Sequence, residues 1–237
     1  MLIPSAISLL KKHRKILPPT GSIADLGDQL LYSREHAAQA FPEISNQILD
    51  EDIDSFKCVS LIYQNMGLCN RICIDYSENA DIRINLNHSA LSLPEIEAKF
   101  DMVTNHGFSE HVFNQMSVFE CMHYICKSGG IMFHTVPCQG WADGNGWGHG
   151  FYQYQPNFFR NLASSNNYKI IDLQISPFTQ SGTLHTFDSK LYPIFANPHL
   201  LKEEAREKLE INKGQFVSIL AIMKKSADQR RFLCPHE

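Results

Sequence analysis

Short apolar runs alternate with amphipathic stretches along this chain, and the alternation predicts a succession of strands and helices. The clearest unit runs from Lys99 to Pro137. Phe100-Asp101-Met102-Val103-Thr104-Asn105 predicts a buried strand that stops at a polar, glycine-containing turn, His106-Gly107. Val118, Phe119, Met122, Ile125 and Cys126 then recur at the spacing of one helical face. Lys127-Ser128-Gly129-Gly130 ends that helix, with glycine supplying the left-handed stop. Ile131-Met132-Phe133-His134-Thr135-Val136 predicts the next strand. Strand, helix and strand in this order predict parallel strands joined by a right-handed crossover. Ligands of such sheets bind beyond the carboxyl ends of the strands, which directs attention to Asn105–His111 and to the residues after Pro137.

The same reading extends to both sides. Residues 4–16 predict an N-terminal helix stopped by Pro18-Pro19. Gly21-Ser22-Ile23-Ala24-Asp25-Leu26-Gly27 predicts the first strand and its exit turn, and a polar helix follows through Glu35–Gln39. Residues 41–68 carry Ile53, Phe56, Val59, Ile62, Tyr63 and Met66 at helical spacing. Arg71-Ile72-Cys73-Ile74-Asp75 predicts a second strand ending on an acid, and Ile82–Asn87 alternates as a short third strand. Residues 138–150 read as a glycine-rich loop holding both tryptophans, and Pro156 opens a helix. Residues 168–175 and 215–223 predict the sixth and seventh strands. The long connection between them, residues 176–214, predicts a cap or an interface element on which a homodimer could form. The last residues, from Lys224 to Glu237, read as a frayed tail.

Composition narrows the classes. A chain of 237 residues with 43% hydrophobic content suits one domain with insertions. A net charge of −4, with both signs dispersed, argues against a nucleic-acid partner. The basic run Lys11-Lys12-His13-Arg14-Lys15 reads as a solvated helix face. The seven cysteines stand at irregular spacing without a C-x-x-C pair. Cys58, Cys73, Cys121 and Cys126 fall within apolar patterns, so they read as core residues in a reducing, cytoplasmic setting. Neither a signal peptide nor a membrane-spanning stretch is predicted, so no membrane partner is expected.

The order of elements from Ser22 to Met223 resembles the class I S-adenosylmethionine-dependent methyltransferases. The resemblance is carried by Ala24-Asp25-Leu26-Gly27-Asp28-Gln29 after strand one, Ile74-Asp75 at the end of strand two, and the Phe100–Pro137 unit with its Lys127-Ser128-Gly129-Gly130 run. Two further runs, Asn105–His111 and His149–Phe159, resemble a branch that methylates small molecules, sugars or natural products. The resemblance implies an α/β, Rossmann-like, doubly wound seven-stranded sheet whose last strand is antiparallel. It also implies S-adenosylmethionine as cofactor and methyl transfer to an oxygen or nitrogen of a small-molecule acceptor.

Asp25, Gly27 and Gln29 then fall in the cofactor loop, with Gly27 letting backbone approach the methionine carboxylate at a helix N-terminus. Asp75 is the candidate for the ribose hydroxyls, as an acid in this place is for dinucleotides. Asn87 is the candidate for the adenine edge, and Asn105, His106 and Gly107 for the border of the methionine amino group. His111 and His149 are the candidate general bases, their ordinary pKa of about 6.5 suiting proton transfer. Trp141, Trp147 and Tyr152 are the candidate walls of the acceptor pocket. His106, Glu110, His111 and His149 offer metal-ligand atoms, but their spacing matches no recognised ligand motif, and transfer from a sulfonium needs no metal. No metal is therefore expected.

The turn reads D-x-G-x-Q, with Gln29 where the family usually has a second glycine. That departure opens an alternative, a methyltransferase fold kept as a binding or scaffold protein without catalysis. A nicotinamide oxidoreductase is disfavoured because no G-x-G-x-x-G follows the first strand.

Overall fold

The computed structural model describes residues 1–88, 96–139, 149–177, 186–196, 202–203, 217–228 and 231–235. Helix α1 (Pro4–Lys12) precedes β1 (Gly21–Leu26), α2 (Arg34–Ala40), α3 (Ser45–Ile48), α4 (Ser55–Asn65) and β2 (Leu68–Asp75). Then follow β3 (Ile82–Arg83), β4 (Phe100–His106), α5 (Gln115–Ile125), β5 (Cys126–Gln139), α6 (Pro156–Ser165) and β6 (Lys169–Pro177). The described part of the chain ends with β7 (Phe187–Asp188), α7 (Tyr192–Ala196) and β8 (Val217–Lys224).

All eight strands join one sheet in the order β3-β2-β1-β4-β5-β8-β6-β7. Neighbours from β3 to β5 are parallel, and β8 lies antiparallel between β5 and β6. This is the doubly wound arrangement expected from the sequence. Among the described residues the addition is β7, which pairs antiparallel with β6 inside the region read as an insertion. Because successive side chains alternate between faces, each central strand feeds two cores. Ile23, Met102, Phe133 and Ile222 pack against α1, α2 and α4. Ala24, Val103, Met132 and Ala221 pack on the opposite face, beneath α5 and α6.

Local chemistry explains where elements depart from the hydrophobic pattern. The predicted third strand shrinks to Ile82–Arg83. Just beyond it, Asn85 bends the chain into a turn, its side-chain oxygen accepting the Asn87 amide at 3.0 Å. The helical spacing in 41–68 resolves into a short 3₁₀ turn, α3 and α4. The break is stabilised by Arg34, which donates to the Asp50 carbonyl at 2.6 Å, and by Asp54, which caps α4 through the Lys57 amide at 2.7 Å. The basic run is less free than predicted: Lys12 and His13 both reach Asp172 on β6, each at 2.8 Å. The tail also docks in part. Phe232 is buried, and Lys225 donates to the His123 and Cys126 carbonyls.

All seven cysteines are free, and Cys58, Cys73, Cys121 and Cys126 are buried as expected. Among the described residues, no helix is long and apolar enough to cross a membrane.

Candidate functional site

The sheet order reverses between β1 and β4: from β1 the chain winds to β2 on one side, and from β4 to β5 on the other. Such a switch point leaves a crevice at the carboxyl ends of the strands. A cavity of about 320 Å³ opens there. It is lined by Asp28, Leu30 and Tyr32 after β1, by Gly107, Glu110 and His111 after β4, and by Thr135–Pro137 on β5. His149, Ser218 at the start of β8, and Met1 and Ile3 complete the lining.

The turn after β1 is held from below. Asp25 is fully buried, and its carboxylate accepts Arg71 Nε at 2.6 Å, the Tyr63 hydroxyl at 3.2 Å and the Thr104 hydroxyl. Those partners consume the acid, so Asp25 does not reach the cavity as expected; it fixes the strand from which the turn departs. Gly27 has φ +84°, and a Cβ there would lie 2.7 Å from the Phe108 ring, so both conformation and space require glycine. Gln29 is also turned inward. Its side chain is 1% exposed and donates to the Leu26 carbonyl at 2.9 Å, while Oε1 has no hydrogen-bond partner. At the end of β2, half-buried Asp75 accepts the Asp28 amide at 3.1 Å and the Tyr76 amide at 2.5 Å. Asp75 thus ties the first turn to the second strand and keeps free lone pairs on both oxygens.

The asparagines hold loops instead of facing a ligand. Asn87 Oδ1 accepts the Phe113 and Asn114 amides at 2.9 and 3.2 Å, joining the segment after β3 to the start of α5. Asn105 is fully buried. Its Oδ1 accepts the Ser109 amide at 3.0 Å, and its Nδ2 donates to Ser109 Oγ at 2.9 Å. The His106 side chain is likewise internal, its Nδ1 lying 2.8 Å from Thr135 Oγ1. Burial, with the amino-terminal charge and His134 adding to it, holds the His106 imidazole well below the usual range. The His106 carbonyl does reach the site, where it accepts the Met1 ammonium at 2.6 Å. Gly107, at φ +68°, turns the chain there and lines the cavity.

Beyond that turn a short 3₁₀ segment, Ser109–His111, presents Glu110 and His111 to the cavity. Tyr154 braces it: its hydroxyl donates to Gln115 Oε1 and lies 2.8 Å from Ser109 Oγ. His149 arrives from the far side, after β5. The Phe151 amide donates to the Glu110 carbonyl at 2.6 Å, which seats the 149–151 turn directly on Glu110. Gly150 makes that approach feasible: its φ is +73°, and a Cβ would fall 2.7 Å from the Glu110 carbonyl oxygen. Glu110 Oε1 and His149 Nε2 are then 3.9 Å apart, and the His111 and His149 rings meet edge to face with centroids 4.8 Å apart. Glu110 is 1% exposed, and its Oε2 has no hydrogen-bond partner. Burial pushes its carboxyl up to about 7. Partial burial, reinforced by the neighbouring His149, lowers His111 below its ordinary value, so this imidazole is neutral near pH 7.

Of the expected site residues, the structure brings Gly107, His111 and His149 to one cavity; Gly27 and Asp75 fall outside its lining, next to Asp28, which lines it and whose amide donates to Asp75. Tyr152 lies elsewhere, donating to the Phe113 carbonyl at 2.8 Å and lining a separate groove beside α6. Trp141 and Trp147 lie outside the described residues. Glu110 was weighed in the sequence only as one of four scattered ligand atoms. The signal that marks it is its place in Ser109-Glu110-His111, immediately past the carboxyl end of β4.

No family model matches the sequence, and no curated protein matches it. Solved structures do resemble it. One is a protein from Galdieria sulphuraria provisionally assigned as a sarcosine dimethylglycine methyltransferase. It is 13% identical with a TM-score of 0.51, over 94% of this chain and 85% of that one. The 1,6-didemethyltoxoflavin-N1-methyltransferase of Burkholderia thailandensis is 12% identical with a TM-score of 0.47, over 94% and 77% of the two chains. A SAM-dependent methyltransferase from Archaeoglobus fulgidus is 15% identical with a TM-score of 0.47, over 92% of each chain. At 13% identity the likeness to the Galdieria protein bears on the fold alone, and the chemistry has to come from the residues.

Proposed function

We propose that this protein transfers a methyl group from S-adenosylmethionine to an oxygen or nitrogen of a small-molecule acceptor. The observation that carries the reading is the cavity at the β1–β4 switch point, bordered by left-handed glycine turns at Gly27 and Gly107. Asp75 stands at the end of the adjoining strand with lone pairs to spare. S-adenosylmethionine, when bound, supplies a methyl group already activated on a sulfonium. The chain's own residues then have to bind, orient and exclude water.

The His106 carbonyl accepts a primary ammonium in this structure, that of Met1, and a methionine ammonium has the same donor chemistry. Asp75 is the acceptor for ribose hydroxyls. Leu30, Val136 and Pro137 give the cavity an apolar wall. His111, neutral near pH 7, takes the proton that an acceptor hydroxyl or amine releases, with His149 beside it.

Gln29 supports a second reading. Its side chain folds into the turn at the position where the family that the sequence resembles usually has a second glycine, which suits a protein that retains the fold for binding alone. Incubating the protein with methyl-labelled S-adenosylmethionine and a panel of hydroxyl and amine acceptors separates the two. Turnover to S-adenosylhomocysteine with label in an acceptor supports the enzyme. Cofactor binding without turnover across the panel supports the binding protein.

A further inference from the structure

The geometry points to a divalent transition-metal site made by Glu110, His111 and His149 and open to the cavity. The three residues come from separate segments, the turn after β4 and the turn after β5, yet their ligand atoms all lie within 4.8 Å of one another. Two features of the backbone bring them together: the Phe151 amide bonded to the Glu110 carbonyl, and a left-handed Gly150 with no room for a Cβ against Glu110.

The carboxylate is the independent sign of a ligand. Glu110 is 1% exposed, lines the cavity, and has one oxygen without a hydrogen-bond partner. The Met1 ammonium nearby bonds the His106 carbonyl and leaves that oxygen unpartnered. A buried carboxylate in this condition is stabilised by a cation that it can coordinate.

The donor set selects the ion. Two imidazoles and one carboxylate suit zinc, iron(II), cobalt(II) or nickel(II), whereas calcium and magnesium prefer oxygen alone. Bonds of about 2.0–2.1 Å put tetrahedral ligand atoms about 3.3 Å apart. The observed spacing reaches that by side-chain rotation at His111 and His149, both of which retain solvent exposure. Three protein ligands leave a coordination position open, as in catalytic sites, and the open side here is the cavity. Resting on the methyl-transfer reading, an acceptor oxygen takes that position and the ion lowers the pKa of its hydroxyl; with both imidazoles on the ion, the proton leaves to water in the open cavity and not to His111.

The test uses the full chain stripped with a chelator, held reduced, and titrated calorimetrically with zinc and separately with cobalt(II). One ion per chain is expected, with cobalt(II) giving visible absorption bands of a nitrogen–oxygen site. Losing even an outer-shell partner costs about 10–100-fold in metal affinity. His149→Ala, His111→Ala and Glu110→Gln should therefore each weaken binding by about a hundredfold or more, and His88→Ala should leave it unchanged. Circular dichroism melting establishes that each variant is folded, and the exposed His111 gives the variant least subject to folding loss. Absence of ion binding up to 100-fold molar excess overturns the proposal. So does binding that persists in all three variants, which locates the ion on other thiols or imidazoles. Titration of the same samples with S-adenosylhomocysteine keeps the two proposals apart. Homocysteine-nucleoside binding without metal binding sinks only the metal site, and metal binding without it sinks only the methyl-transfer reading.

Discussion

Replacing Arg71 by methionine should destabilise the protein out of proportion to the contacts removed. The guanidinium is almost wholly enclosed, its side chain 6% exposed, and it meets a carboxylate at 0% exposure. It also donates to the Phe56 carbonyl and Ser60 Oγ, both at 2.9 Å, and stacks 3.8 Å from the Phe56 ring centroid. Methionine keeps much of the packing volume and removes every donor. Asp25 would keep only the Tyr63 and Thr104 hydroxyls, so a nearly uncompensated charge stays in the interior. Breaking a buried pair from one side costs about 3–5 kcal/mol. For a chain of this size that lowers Tm by roughly 6–20 °C. Asp25→Asn/Arg71→Met should recover part of the loss, because the double variant buries neither charge. A double-mutant cycle by urea unfolding measures this, with an expected coupling of about 1–3 kcal/mol. Additive single effects, or an Arg71→Met cost below about 1 kcal/mol, would refute the idea that this pair anchors the turn at Gly27.

Gly150→Ala should cost about 1–3 kcal/mol, because alanine meets both a positive φ and the Glu110 backbone; a Tm within a degree of the parent would contradict it. Acid should unfold the protein early. Burial holds His134 down to about 3 and His106 well below its ordinary value, so the native state binds fewer protons than the unfolded chain. Their contribution is present above about pH 6.5 and is lost as pH falls, His134 alone giving about 1.4 kcal/mol per pH unit near pH 5. Glu110, whose raised carboxyl takes up its proton between about pH 7 and 4.5, offsets part of the loss. Urea midpoints between about pH 7 and 4.5 read the slope in the parent and in His134→Gln; the variant's profile should be shallower by about 1.4 kcal/mol per pH unit near pH 5, and identical profiles would count against the argument.

Much of the fold is legible in the sequence because it rests on periodicity. The alternation from Phe100 to Val136 gives β4 to within a residue and places α5. Strand β5, however, starts at Cys126, five residues before the predicted Ile131, so Cys126 and the Lys127–Gly130 run read as the end of the helix belong to the strand. An acid closing an apolar run at Asp75 marks the end of β2. The parts that escaped depend on polar side chains choosing local partners. The Asn85 turn cut the third strand short, and Arg34 with Asp54 broke the expected helix in 41–68.

The same limit governs the site. A strand end tells where a residue stands but not which face its side chain takes. Asp25 shares the face of Ile23, toward α4, and meets an arginine on a different strand. Asn87 and Asn105, short and able to accept from nearby amides, close turns. The meeting of Glu110 with His149 depends on a glycine turn docking across the crevice, and no spacing rule encodes that contact.

The central claim is that the crevice between β1 and β4 holds S-adenosylmethionine. Calorimetric titration of the full chain with S-adenosylhomocysteine, beside a folded Asp75→Ala variant, tests it most directly. The account predicts micromolar binding to the parent, about −8.2 kcal/mol, and at least tenfold weaker binding to the variant. A parent that melts cooperatively yet shows no heat of binding, or a variant that binds equally well, would contradict it.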